Sequence, residues 1–145
     1  MKILVVAVGR VKERAVRAAV DEYVGRIKHY APFQEIEIED GPPDAVAAAA
    51  RRAAKNAMVV ALDASGKGCS SRGFADLVER WASRGKGEIA FVIGGREGLS
   101  TSFLGEAAYV LSLSQMTLPH RLARLFLVEQ IYRALTLLRG EPYGL

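Results

Sequence analysis

From Arg121 to Arg139 the chain offers no helix breaker, and its apolar residues are too many for one helix face. Leu122, Leu125, Phe126, Ile131, Leu135 and Leu138 keep helical spacing, while Leu127, Val128, Ala134 and Leu137 widen the stripe. A helix that is apolar around most of its circumference must be covered around most of it. In a chain of 145 residues this predicts one face on the protein's own sheet and another, including Leu127, against a second subunit. Pro119 suits the first turn, where its missing N–H would have had no intrahelical partner. Gly140 stands where a left-handed cap residue belongs, and Pro142 prevents continuation.

Upstream of this helix, apolar runs alternate with helical patterns. Lys2 to Val8 is nearly all apolar and ends at Gly9, the pattern of a strand covered on both faces of a parallel sheet. Glu13 to His29 carries Val16, Val20, Tyr23, Val24 and Ile27 at helical spacing, and Pro32 closes that segment. Phe33 to Glu39 alternates around Ile36 and Ile38, which predicts an edge strand with one wet face. An alanine-rich helix is expected over Asp44 to Lys55, with Arg51, Arg52 and Lys55 in its last turn, where cations suit the dipole. Met58 to Leu62 and Glu88 to Ile93 read as buried strands, separated by a loop over 63–68 and a helix capped by Ser70 or Ser71. Ser100 or Thr101 caps a short helix, and Tyr109 to Leu113 is the last strand. Strands alternating with helices, with no linker or repeat, predict one α/β domain over residues 1–145 with a mostly parallel sheet.

Composition narrows the function. Half of the residues are hydrophobic and a quarter are charged, an ordinary globular balance. No apolar run approaches the roughly 20 residues of a membrane span, and the first residues lack a signal-cleavage pattern, so a cytoplasmic protein is expected. The lone cysteine, Cys69, leaves no internal disulfide or cysteine-cluster metal site. His29 and His120 are the only imidazoles and lie far apart in sequence, so no metal is expected. The net charge of +4 suits a nucleic-acid partner without requiring one, and arginine outnumbers lysine, which favours phosphate or carboxylate recognition.

In open α/β sheets, ligands bind beyond the carboxyl ends of the strands. Three loops qualify: 63–68, 94–98 and 114–119. None carries a phosphate-loop, dinucleotide or nucleophile-elbow motif; Gly66-Lys67-Gly68 lacks the phosphate-loop spacing. Gly94-Gly95 directly after a buried strand lets a ligand or another backbone approach closely. Ser114-Gln115-Met116-Thr117 puts small polar groups and main chain between a buried strand and a buried helix, suited to an adenine edge. Arg121 and Arg124 occupy first turns of a helix, where the dipole disfavours cations; a phosphate or a cross-subunit carboxylate would account for them, as would solvation. Glu129 and Arg133 form an i,i+4 pair, and His120 beside Pro119 suits loop orientation more than catalysis.

An ordered set of short segments carries a more specific likeness. It comprises Ala7-Val8-Gly9-Arg10-Val11-Lys12, Leu62-Asp63 with Gly66-Lys67, Phe91-Val92-Ile93-Gly94-Gly95, and Leu111-Ser112-Leu113-Ser114 with Met116-Thr117. Pro119-His120, Glu129-Gln130, Tyr132-Arg133-Ala134 and Pro142-Tyr143 complete it. From about Lys2 to Tyr143 the chain resembles the ribosomal RNA large subunit methyltransferase H family, within the knotted SPOUT class of S-adenosylmethionine enzymes.

The resemblance implies a doubly wound α/β domain with a C-terminal trefoil knot, a rare exception to unknotted chains. It implies a homodimer that methylates N3 of a pseudouridine in a hairpin of 23S ribosomal RNA on assembled ribosomes. The methyl donor, S-adenosylmethionine, would contact Leu62, Gly94 and the run Leu113, Ser114, Gln115, Met116, Thr117 and Leu118. Arg133 and Tyr143 would act on the RNA side as the catalytic pair, and Arg10, Arg121 and Arg124 would contact phosphates. One departure stands out. Gly144-Leu145 follows Pro142-Tyr143, where the family carries a histidine. On that account a ribosome- or RNA-binding protein of the same fold that has lost efficient catalysis stays open, and a knotted transfer RNA methyltransferase is a second, separate alternative.

Overall fold

The opening valine run becomes β1 (Lys2–Val8), an inner strand paired in parallel with β2 (Phe33–Ile38) on one side and β4 (Glu88–Ile93) on the other. The computed structural model describes residues 1–143. All five strands are parallel, in the order β2-β1-β4-β3-β5, with β3 spanning Met58–Lys67 and β5 Tyr109–Leu111. β2 is the edge strand that its alternation predicts.

Helices cover both faces. On one lie α1 (Arg14–Ile27), α3 (Ser71–Ala82) and α5 (His120–Leu138), packed on Ile3, Val5, Phe91 and Ile93. On the other lie α2 (Pro43–Ala54) and α4 (Thr101–Glu106), packed on Val6, Val8, Ala61 and Val92. Successive β1 side chains therefore enter opposite cores, which is why the run contains almost nothing polar.

The wide apolar stripe of α5 is used mostly inside the chain. α5 lies between α1 and α3 over the sheet, and Leu127, Val128, Ile131 and Ala134 are buried there. The expectation that Leu127 faces a second subunit is therefore corrected: it belongs to the core of its own chain. The apolar side chains that α5 leaves exposed are Leu122 and Phe126. At its far end Gly140 has φ +68°, Gly140 N–H donates to Leu137 O, and Glu141 N–H donates to Thr136 O. This is a Schellman-type cap.

Two boundaries differ from the pattern in the sequence. β3 continues through 63–67, where turn-forming residues predict a loop. Leu111 pairs with Leu62 and again with Lys67, so Asp63 to Gly66 bulge out between two pairings. A Cβ on Gly66 would stand 2.5 Å from Val110 O, so glycine here serves strand contact and not a phosphate. β5 stops at Leu111. Ser112 Oγ donates to Ser114 O and Ser114 Oγ accepts from Met116 N–H, turning the chain out of the sheet.

The wet face of β2 is an ion-pair layer. Glu35 and Glu37 project from it toward Arg17 of α1 and Arg124 of α5.

Candidate functional site

A cleft of about 380 Å³ opens at the carboxyl ends of β3 and β4, against the start of α5. Its size falls within the range of small-molecule sites. Leu62, Asp63 and Ala64 come from β3, and Ile93, Gly94, Gly95, Arg96 and Gly98 from the end of β4 and its loop. Leu113, Ser114, Met116, Thr117 and Leu118 come from the segment before α5, with His120 and Ala123 from its first turns. The three loops expected to bind a ligand thus form one cavity. Of the expected donor contacts, Gln115 alone is outside the lining; it is exposed beside Met116.

The two glycines after β4 are required by protein neighbours. A Cβ on Gly94 would lie 2.8 Å from the carbonyl carbon of Gly98 and 3.0 Å from Leu99 N. On Gly95 it would meet Asp40 Oδ1 at 2.6 Å and Val8 Cγ1 at 2.8 Å. Close approach of another backbone, one of the two readings open in the sequence, is observed at Gly94.

The floor of the cleft is tied to the ion-pair layer through α5. Arg124 is fully buried, and its Nη1 donates to Glu35 Oε2 at 2.9 Å and to Glu37 Oε2. Its Nη2 donates to Gly9 O at 3.0 Å and contacts His120 Nε2 at 3.1 Å. His120 Nδ1 in turn lies 3.2 Å from Gly94 O. The assignment of Arg124 to RNA phosphates is corrected here: its guanidinium is committed to two carboxylates and a carbonyl, beyond the reach of an external ligand. The carboxylates lie in β2 of the same chain and not in a partner. Burial, with Arg124 as the adjacent cation, lowers the His120 pKa below its ordinary 6.5, despite the bond to Gly94.

Arg10 and Arg121 are placed differently. Both are exposed and line a groove with Lys12, Arg96, Glu13 and Asp40 that shares Gly95, Arg96 and His120 with the cleft. Arg121 Nε pairs with Glu13 at 2.5 Å, an exposed contact. Sequence reasoning gave Arg96 no role, yet it lies where cleft and groove meet. The signal was its place directly after Gly94-Gly95 at a strand's carboxyl end.

Arg133 and Tyr143 lie together at the other end of α5. Glu129 Oε2 accepts from Arg133 Nη2 at 2.7 Å and from Tyr143 Oη at 2.8 Å, and the guanidinium sits 4.9 Å from the Tyr143 ring centroid. The Tyr132 and Tyr143 rings meet edge to face at 4.6 Å. Burial first, then bonds to Tyr23 and Glu129, hold the Tyr143 phenol far above its ordinary range, so at neutral pH it donates a hydrogen bond. Arg133 is thirteen residues beyond His120 on α5, roughly 20 Å at 1.5 Å per residue. One protomer does not bring this pair to the cleft. Gly144-Leu145, the altered tail, lies outside the described residues. No helix among them is long and apolar enough to cross a membrane.

Comparison with known proteins agrees with this geometry. A family model described as "Predicted SPOUT methyltransferase" matches residues 1–144. Among curated relatives, ribosomal RNA large subunit methyltransferase H from Sorangium cellulosum (strain So ce56) is 55% identical over 144 residues, with 99% of each chain covered. The protein of the same name from Anaeromyxobacter sp. (strain Fw109-5) is 44% identical over 152 residues, again with 99% of each covered. Among solved structures, tRNA (m1G37) methyltransferase from Aquifex aeolicus superposes with a TM-score of 0.62 at 14% identity, covering 100% of this chain and 75% of that one. The SpoU methyltransferase AviRb from Streptomyces viridochromogenes, solved in complex with AdoMet, gives a TM-score of 0.50 at 16% identity, covering 97% of this chain and 59% of that one. At such identities these structures speak for the fold alone. With its parallel sheet, its cleft at the strand ends and whole-length relatives, the chain belongs to the SPOUT methyltransferases, in the family of ribosomal RNA large subunit methyltransferase H.

Proposed function

We propose that this chain, acting as one catalytic domain over residues 1–145, transfers a methyl group from S-adenosylmethionine to large-subunit ribosomal RNA. The observation that carries this reading is the convergence of three separate loops on one cleft at the carboxyl ends of β3 and β4. The lining fits the donor. Leu62, Ile93, Leu113 and Leu118 offer an apolar wall for a flat base, while Gly94, Gly95 and Gly98 bring residues without side chains to the lining. Leu62, Gly94 and the run Leu113 to Leu118, including Gln115, would hold it. The donor supplies an electrophilic methyl on a sulfonium centre and requires no metal.

The chain's own residues position the acceptor. Arg10 and Arg121, with Arg96 beside them, face phosphates along the groove that enters the cleft, and they contribute affinity without sequence choice. Arg133 and Tyr143 stand too far along α5 to reach the cleft of their own protomer. The reading therefore takes the working unit as a homodimer in which the partner presents them to the RNA. Exposed Leu122 and Phe126 supply apolar surface for that contact. Tyr143 would orient the target base by stacking, or by turning its one phenol hydrogen from Glu129 to the base. The finer assignments follow from the family resemblance: N3 of a pseudouridine, assembled ribosomes, the cytoplasm, and a trefoil knot formed by the loops at 94–98 and 114–119 with α5.

The test is transfer of labelled methyl from S-adenosylmethionine to intact ribosomes lacking the modification, with free ribosomal RNA and transfer RNA alongside. Label on the large-subunit RNA of ribosomes alone is the expected result. Label on transfer RNA alone would overturn the substrate assignment. Tight donor binding without transfer to any RNA would favour a binding protein of the same fold.

A further inference from the structure

Arg124 carries an anomaly that the donor reading does not use: a cation buried completely in the first turns of a helix, where the dipole opposes it. Glu35 and Glu37 account for its charge but engage only Nη1. Nη2 is directed instead at Gly9 O and at His120 Nε2. A guanidinium has donors and no acceptor. His120 Nε2 must therefore accept, and the ring proton must sit on Nδ1, which then donates to Gly94 O.

We infer that Arg124 and His120 are positioning residues of the donor cleft, Arg124 fixing the imidazole as its Nδ1–H form and His120 holding the Gly94 carbonyl in place. The inference rests on the donor reading given above. Gly94 lines the cleft, and a Cβ there would meet the Gly98 main chain at 2.8 Å, so the backbone on its other side leaves little room for a shift. Through Gly9 the same guanidinium holds the loop that carries Arg10, so one buried group fixes a wall of the donor cleft and a wall of the basic groove. A merely structural ion pair would need neither the His120 contact nor a defined tautomer. Burial and the Arg124 guanidinium on Nε2 disfavour a protonated ring, while the bond to Gly94 O and the more distant carboxylates of Asp40 and Glu37 oppose them.

The experiment titrates S-adenosylmethionine into the unmodified protein, His120→Leu, His120→Asn and Arg124→Lys by calorimetry, with thermal unfolding alongside. Nitrogen-15 spectra of the His120 ring in the unmodified protein and Arg124→Lys report the tautomer directly. The unmodified protein is expected to show Nδ1–H. His120→Leu leaves the Gly94 carbonyl without its donor and should raise the donor Kd about tenfold or more. His120→Asn puts an amide donor at the Nδ1 position and should keep Kd within about threefold. Arg124→Lys keeps a cation for the glutamates but loses the fork, and should release the ring from the Nδ1–H form. Unchanged donor affinity in His120→Leu, or an Nε2–H ring in the unmodified protein, would overturn the relay. An unmodified protein that binds no donor would instead overturn the proposed function on which the relay rests.

Discussion

The two ends of α5 carry arginines in opposite circumstances. At the start, Arg124 is sealed from solvent and neutralised by strand carboxylates more than 80 positions away in the chain, with |i−j| of 89 and 87. Toward the end, Arg133 has a partly open side chain and is held by Glu129 one turn away in the same helix, beneath the Tyr143 ring. The first arrangement joins distant segments into a fixed frame. The second is built from local pieces and leaves a cation and a phenol near the surface. Under the proposed function, the first would hold a small-molecule cleft unchanged and the second would keep contact with a large, external partner.

The largest test of this contrast is Arg124→Ala. It strands Glu35 and Glu37 against a hole in the core, although Arg17 still faces both. Denaturant unfolding should show a loss of about 3 kcal/mol, as for one partner removed from a buried pair. A loss below about 1 kcal/mol would mean that Arg17 compensates fully and the frame is redundant.

Arg133→Ala should do the reverse. Melting should fall little, donor affinity should stay, and methyl transfer should drop by about tenfold or more through misplaced RNA. Loss of donor affinity in that variant would return Arg133 to the cleft side and erase the distinction between the helix ends.

Arg121→Ala sharpens the comparison within one turn, since Arg121 stands three residues before Arg124 but is exposed. Stability should change by less than about 0.5 kcal/mol, because exposed ion pairs contribute little. Ribosome binding should weaken, and its dependence on salt should become shallower. A salt dependence equal to that of the unmodified protein would take Arg121 out of the RNA groove.

The smallest effect concerns pH. Folding lowers the His120 pKa below 6.5, so the unfolded chain takes up a proton there before the folded chain does. Stability from this group is present above that pH and declines as pH falls from 6.5 toward the lowered folded pKa. His120→Asn should therefore show a flatter stability profile over that interval. An unaltered profile would show that His120 titrates alike in both states.

How much of this was legible in the sequence depended on whether a feature was local. β1 and β4 could be read to the residue because each is one charged residue followed by an apolar run ending at glycine, and burial on both faces demands such a run. The extension of β3 could not, since Asp63, Ser65 and Gly66 are turn formers and only pairing with Leu111 makes them strand. The cleft was legible from a topological rule about strand ends applied to three separate loops. The setting of Arg124 is not legible, because a cation opening a helix suggests an anion and periodicity cannot say that the anion is two glutamates of an edge strand. Their alternation with Ile36 and Ile38 was the available signal. A charged face on a strand can meet solvent or a charged helix, and only the placement of α1 and α5 decides between them. Leu127 was misassigned for a similar reason: spacing defines the stripe on α5 but not which part of it meets its own core.

The bond from Arg124 to Gly9 O joins residues 115 apart in sequence. Such a contact cannot form until nearly the whole chain has been brought together, and the entropy of closing that loop falls due before the bond contributes anything. On that ground the buried arginine is expected to reach its partners after the transition state, which comparison of folding and unfolding rates in Arg124→Ala would check. Changes at Arg124 should leave the refolding rate nearly untouched and appear almost entirely as faster unfolding. Arg124 would then act as a kinetic latch on the native state, setting how long the protein stays folded more than how quickly it folds.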